Sequence, residues 1–255
     1  MSGSYEERLS AVPPELRDAL AKFGRDAEEI VDAFLKTLET THPPPILYHY
    51  TDHVGLRGIL ESGRLRLTDI LSVNDPSELS HGLHHAISIL SSKAASGPRE
   101  SKLFAADFET MIRLGKVQRS GDYFICCFSA AGDDLGQWRA YADNGRGYAL
   151  GFDARALEDA FIRQADAPIQ KTFPVTYNDA LLIEIHRNII ERMFGLISMP
   201  RGRGFGADAI NSYMAELQTL LTVHALPVCI SSTRHTPTNR NTGSCRCIHP
   251  ATSRL

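Results

Sequence analysis

The chain has 255 residues, 43% of them hydrophobic and 22% charged, with a formal charge of −3. That balance suits a globular protein able to bury a core, and it disfavours a surface coated for non-specific nucleic-acid binding. The polar, acidic start MSGSYEERLS and the lack of any bilayer-length apolar run make a cytoplasmic protein with reduced thiols and no membrane partner the expectation. Residues 1–45 read as a helical N-terminal extension: Pro13-Pro14 suits a helix start, and Ile30, Phe34 and Leu38 recur at helical spacing. Ile46-Leu47-Tyr48-His49-Tyr50 is a strand entered through three prolines, and it is unusual core filling. An imidazole and two phenols each need a polar partner when buried, so this strand is expected to line a site.

Beyond it, His53 to Glu61 reads as a helix with Val54, Leu56, Ile59 and Leu60 inward and Gly63 as its stop. Arg64 to Thr68 alternates with period two and reads as a strand. Asp75, Pro76 and Glu78 form a helix start of the capping-box kind, running to about Leu90, and a further helix covers Leu103 to Leu114. Asp122 to Ser129 is the most continuously apolar strand, expected to be covered on both faces, with Cys126 and Cys127 as small core residues. A short helix carrying Trp138 and Tyr141 follows, then a turn at Gly145-Arg146-Gly147 and a strand at Tyr148 to Phe152. Asp153 then caps another helix. Ile169 to Tyr177 reads as a strand, followed by helices over Asp179 to Phe194 and Ala207 to Val223.

Several spaced motifs occur in order: Leu47 to Thr51, Ile59 to Leu67, Asn74 to Glu78, Cys127-Phe128-Ser129, Trp138 to Asp143 and Gly147 to Phe152. Together they resemble an uncharacterised group of prokaryotic domains, and that group more distantly resembles the ADP-ribosyltransferase fold. The resemblance implies an α+β fold of two small, mostly antiparallel sheets forming a cleft, with inserted and flanking helices, over residues 46–227. It also implies NAD as substrate and a macromolecular acceptor. His49 would hydrogen-bond a ribose hydroxyl and Thr51 would help fix the dinucleotide. Ser129 would sit beside the nicotinamide with Tyr141 stacked on that ring, and Tyr50 and Trp138 would complete the contacts. A late strand would supply a carboxylate that stabilises the positive charge developing on the sugar.

The tail from Val228 to Leu255 cannot do so, because it holds four Arg and no Asp or Glu, which leaves −7 on the rest of the chain. It also carries three of the five cysteines and no usable periodicity, so residues 228–255 are expected to be disordered. Codons compatible with Cys229 to Pro250 can be chosen so that another frame reads L-H-I-K-H-P-A-H-A-D-E-P-E-Y-R-L-L-Q-V-H-P. That reading contains the missing carboxylates, so the tail reads as out of frame and this copy as impaired.

Each of these residues also has a plainer reading. His49 can be a core histidine bonded to backbone, and Trp138 and Tyr141 can be packing on one helical face. Asn74, Asp75 and Glu78 are explained by capping alone. Arg139 and Arg146 can meet a pyrophosphate or lie free on the surface. Glu78, His81 and His85 share a helix face, but a single such set does not make a metal site, and no metal is expected. Cys127 lacks an identifiable base for a nucleophile, and no catalytic residue is assigned. The alternative function is a non-catalytic ligand-sensing or protein-interaction domain.

Overall fold

The computed structural model describes residues 9–10, 12–38, 44–69, 77–116, 122–162, 169–174, 178–230 and 246–252. In chain order the elements are α1 (Pro14–Leu38), β1 (Ile46–Thr51), α2 (His53–Ser62), β2 (Thr68–Asp69), α3 (Ser77–Ala95), α4 (Arg99–Arg113), β3 (Asp122–Ile125) and β4 (Cys127–Phe128). There follow α5 (Leu135–Tyr141), a single 3-10 turn at Asp143–Gly145, β5 (Tyr148–Asp153), α6 (Ala154–Ile162), β6 (Ile169–Pro174), α7 (Asp179–Ile197), α8 (Ala207–Ile230) and β7 (Arg246–Thr252).

Five helices build the larger core. Leu16, Leu20, Phe23, Ala27, Val31 and Phe34 recur at three- and four-residue steps along α1, and all are buried. They pack with Leu182, Ile185, Ile189 and Met193 of α7, Tyr213, Leu217 and Leu221 of α8, and matching stripes on α3 and α4. The first helix therefore belongs to the same core as the last two. Its start at Pro14 follows from the sequence, since proline costs no hydrogen bond in a helix's first turn.

The strands pair antiparallel in two sheets, which fits the α+β expectation. In one, β1 lies against β5 with Ile46 opposite Asp153 and Thr51 opposite Tyr148. In the other the order is β2-β3-β7-β4, with β6 also on β7. Strands β3 and β4 form one path broken at Cys126. Ile125 and Cys127 pack on the helical core, while Cys126 and Phe128 join Leu47, Ala154 and Leu157 in a small second cluster. This path is covered on both faces, as its unbroken apolar run suggests.

Four expectations need correction. Helix α2 buries none of its residues, and Val54 and Leu60 are largely exposed. Its ends are instead satisfied locally: Asp52 accepts from the Gly55 N–H at 2.7 Å, and Gly63, at φ 64°, donates to the Ile59 carbonyl. The alternating run Arg64 to Thr68 is strand only at Thr68–Asp69, because β3 offers partners to those two residues alone. Leu65 and Leu67 still use the alternation to pack on the small cluster. Helix α8 continues through Pro227 to Ile230, beyond the expected domain end. The expected disordered tail contributes β7, which pairs with β3, β4 and β6. Backbone pairing requires no side-chain period, so the sequence pattern gave no sign of it.

Candidate functional site

Strand β1 is held on both edges. Besides its ladder to β5, Tyr48 and Ser129 exchange two backbone hydrogen bonds of 2.8 Å each, tying the end of β4 to the middle of β1. Side chains alternate across such a strand, so Leu47, His49 and Thr51 share one face and Tyr48 and Tyr50 the other.

On the first face, His49 is half-buried with its ring tilted against Phe128 at 5.6 Å. Its Nδ1 lies 3.0 Å from the Cys127 carbonyl oxygen. A carbonyl only accepts, so Nδ1 carries the proton, and in the uncharged tautomer with that proton Nε2 is the acceptor. Among the described residues Nε2 meets no protein donor. The buried Cys126 thiol is 3.8 Å from Nδ1, and burial pushes its pKa up to about 12, so it stays protonated. Thr51 is buried against the start of α2, and a Cβ at Gly55 would collide with its Oγ1.

The second face is occupied by structure. Tyr50 is buried, donates to the Ala131 carbonyl at 2.8 Å and accepts from the Asp134 N–H at 3.1 Å. Burial raises its phenol pKa, partly offset by the Asp134 hydrogen bond. Its ring meets Trp138 edge-on at 5.0 Å, and the Trp138 indole N–H donates to Asp133 at 2.8 Å. Ser129 is 2% exposed, and its Oγ accepts from the Ala131 N–H at 3.1 Å. The Tyr48 ring lies over Gly132, where a Cβ would meet it at 2.6 Å. Four aromatic and hydroxyl side chains thus clamp the 129–134 loop onto β1. Asp134 then starts α5 by accepting from the Gln137 N–H at 2.9 Å.

The sequence-predicted residues divide clearly. His49, Tyr50, Thr51, Ser129 and Trp138 are brought together around β1. Tyr141, at the end of α5, is 41% exposed. Arg139 is exposed, and Arg146 folds back on Asp143 of its own turn at 2.9 Å with its side chain 78% exposed. Asn74 and Asp75 lie outside the described residues, as does the side chain of Glu78. Among the described residues no group of three or more His, Cys, Asp or Glu is placed to hold a metal ion.

Sequence reasoning placed the turn before β5 at Gly145-Arg146-Gly147 and missed that it starts two residues earlier, at Asp143. Asp143, Asn144 and Gly145 adopt φ values of 46°, 57° and 87° in succession. Asn and Asp are the non-glycine residues most tolerant of that region, so Asp-Asn-Gly was a readable signal. The turn lets Gly147 approach so closely that a Cβ there would strike the Thr51 carbonyl oxygen.

No curated protein and no solved structure matches the chain. No helix among the described residues is long and apolar enough to cross a membrane. Residues 137–199 match the family described as "Protein of unknown function (DUF2971)". That stretch takes in Trp138, Tyr141 and the Gly147 to Phe152 motif but not β1, so over the span from α5 to α7 the chain is similar to a family of uncharacterised domains.

Proposed function

We propose that the β1 face bearing His49 is an NAD-binding surface of the ADP-ribosyltransferase-like kind, built to transfer ADP-ribose to a macromolecule or to cleave NAD. The observation that carries the reading is the imidazole itself. One nitrogen is anchored to backbone and the other is left as an unsatisfied acceptor on a half-buried ring, the state that receives a sugar hydroxyl. The loop clamp supports it by fixing Ser129 beside Tyr48 on the strand next to His49.

Chemistry would also require a fixed anion near the developing oxocarbenium. Strand β7 is the late strand beside β4, and its residues Arg246 to Thr252 include no carboxylate. The copy written in this sequence therefore binds NAD without efficient turnover. Calorimetric titration with NAD tests the binding. His49→Ala should weaken it roughly tenfold, the worth of one good polar contact. No heat with the unaltered chain would end the proposal. A chain whose frame is restored after Pro227 should consume NAD, and replacing its restored glutamates with glutamine should stop that.

A second reading, a non-catalytic interaction module, is favoured by one observation. The Tyr50 hydroxyl, Ser129 Oγ and Trp138 Nε1 all bond within the protein and are not directed at a ligand.

A further inference from the structure

A groove of roughly 390 Å³ runs between α3 and α7, formed by helices that contribute nothing to β1 or its loop clamp. Both walls follow from helical spacing. His85, Ser88, Ser92 and Lys93 face it from α3, while Ile183, Arg187 and Glu191 recur every fourth residue on α7. Its two ends are electrostatically closed: His85 faces Asp179 at 3.8 Å, and Lys93 faces Glu191 at 3.8 Å while lying over the Phe194 ring. The centre is open. Arg187 has no ion-pair partner among the described residues, although Glu191 is one turn away. The hydroxyls of Ser88 and Ser92 make no hydrogen bond there either, though a helical serine commonly donates to the carbonyl four residues back. Ile89 and Ile183, both partly buried, form an apolar floor beneath this polar centre.

We propose that this groove binds a small phosphomonoester. The guanidinium fork of Arg187 is the anchor, since it offers paired donors to a tetrahedral oxyanion. The two serine hydroxyls supply further donors and Lys93 adds positive charge. The isoleucine floor takes the organic body. The volume sits at the small end of ligand sites, which fits a single ring or short chain carrying one phosphate. Asp179 and Glu191 cap the ends and disfavour a second anionic group, which separates this ligand class from a dinucleotide pyrophosphate.

The test is an amide-shift titration of the full chain by NMR, with inorganic phosphate in one arm and phenyl phosphate in the other. Shifts should concentrate on α3 and α7 around residues 85–93 and 183–191, and phenyl phosphate should saturate at lower concentration than phosphate. Arg187→Gln, at an exposed position where folding is retained, should weaken binding roughly tenfold, the loss of one charge-assisted contact. The equally exposed Arg57→Gln should leave it unchanged. Shifts scattered over surface lysines and arginines, or undiminished in Arg187→Gln, would overturn the site. Equal affinity for the two probes would overturn the assignment of an organic phosphomonoester.

Discussion

The helical body and the sheet region are built on different principles. In the helices, α1, α3, α4, α7 and α8 bury continuous stripes against one another, and residues such as Leu20, Phe108 and Leu182 are almost wholly inaccessible. In the sheets, a cluster of Leu47, Cys126, Phe128, Ala154 and Leu157 carries the apolar burial, and polar clamps through Tyr50 and Ser129 do the rest. The thin apolar cluster supported by hydrogen bonds leaves the His49 imidazole half-buried, whereas the helical core encloses the His186 imidazole completely. The difference locates the candidate site on the region that is stabilised least by packing.

The sharpest contrast comes from two leucines that are both fully buried. Leu182→Ala in the helical core should cost about 4 kcal/mol in urea unfolding, whereas Leu47→Ala should cost about 2 kcal/mol because the small cluster can collapse around the gap. Equal losses would erase the distinction. Next in size is a pH effect confined to the helices. Burial pulls the pKa of His186 from 6.5 to about 4, with its ring bonded to the Leu182 carbonyl. Between those values the unfolded chain takes up a proton that the folded chain refuses. Stability should therefore fall as pH drops from about 6.5 to about 4, by on the order of 3 kcal/mol, and His186→Gln should flatten that slope.

In the sheet region, Gly147→Ala drives a methyl into the Thr51 carbonyl and against the Ala142 Cα at 2.8 Å. It should cost about 2 kcal/mol and perturb β1 amides before it perturbs α7. Tyr50→Phe removes two hydrogen bonds from the clamp and should cost about 1 kcal/mol, read as faster amide exchange at Ala131 and Asp134. The smallest effect belongs to the exposed Arg57–Glu61 pair at 2.7 Å, where Arg57→Ala should change stability by no more than about 0.5 kcal/mol.

Legibility in the sequence follows the same division. Helical stripes are local, so the periodicity of α1 and α7 could be read directly, as could the Gly63 stop and the Asp153 cap, which accepts from the Ala156 N–H at 2.8 Å. Sheet pairing is not local. Nothing in Leu47 to Thr51 announces that its partner lies near Tyr148 to Phe152, or that β7 would enter between β6 and the β3–β4 path. The polar tips of His49 and Tyr50 correctly indicated that partners were needed. Those partners proved to be backbone groups of Cys127, Ala131 and Asp134, whose identity no side chain encodes. For Tyr50 the demand was structural, while for His49 it was met at only one nitrogen.

That remaining nitrogen is where the account is most exposed. Imidazole nitrogen NMR of His49 during NAD titration should show the proton on Nδ1, with the Nε2 resonance moving as NAD saturates and losing that response when Phe128→Ala removes the ring's support. An Nε2 resonance that stays fixed at saturating NAD, or a proton on Nε2 in place of Nδ1, would contradict the proposed NAD-binding surface and leave the interaction-module reading in its place.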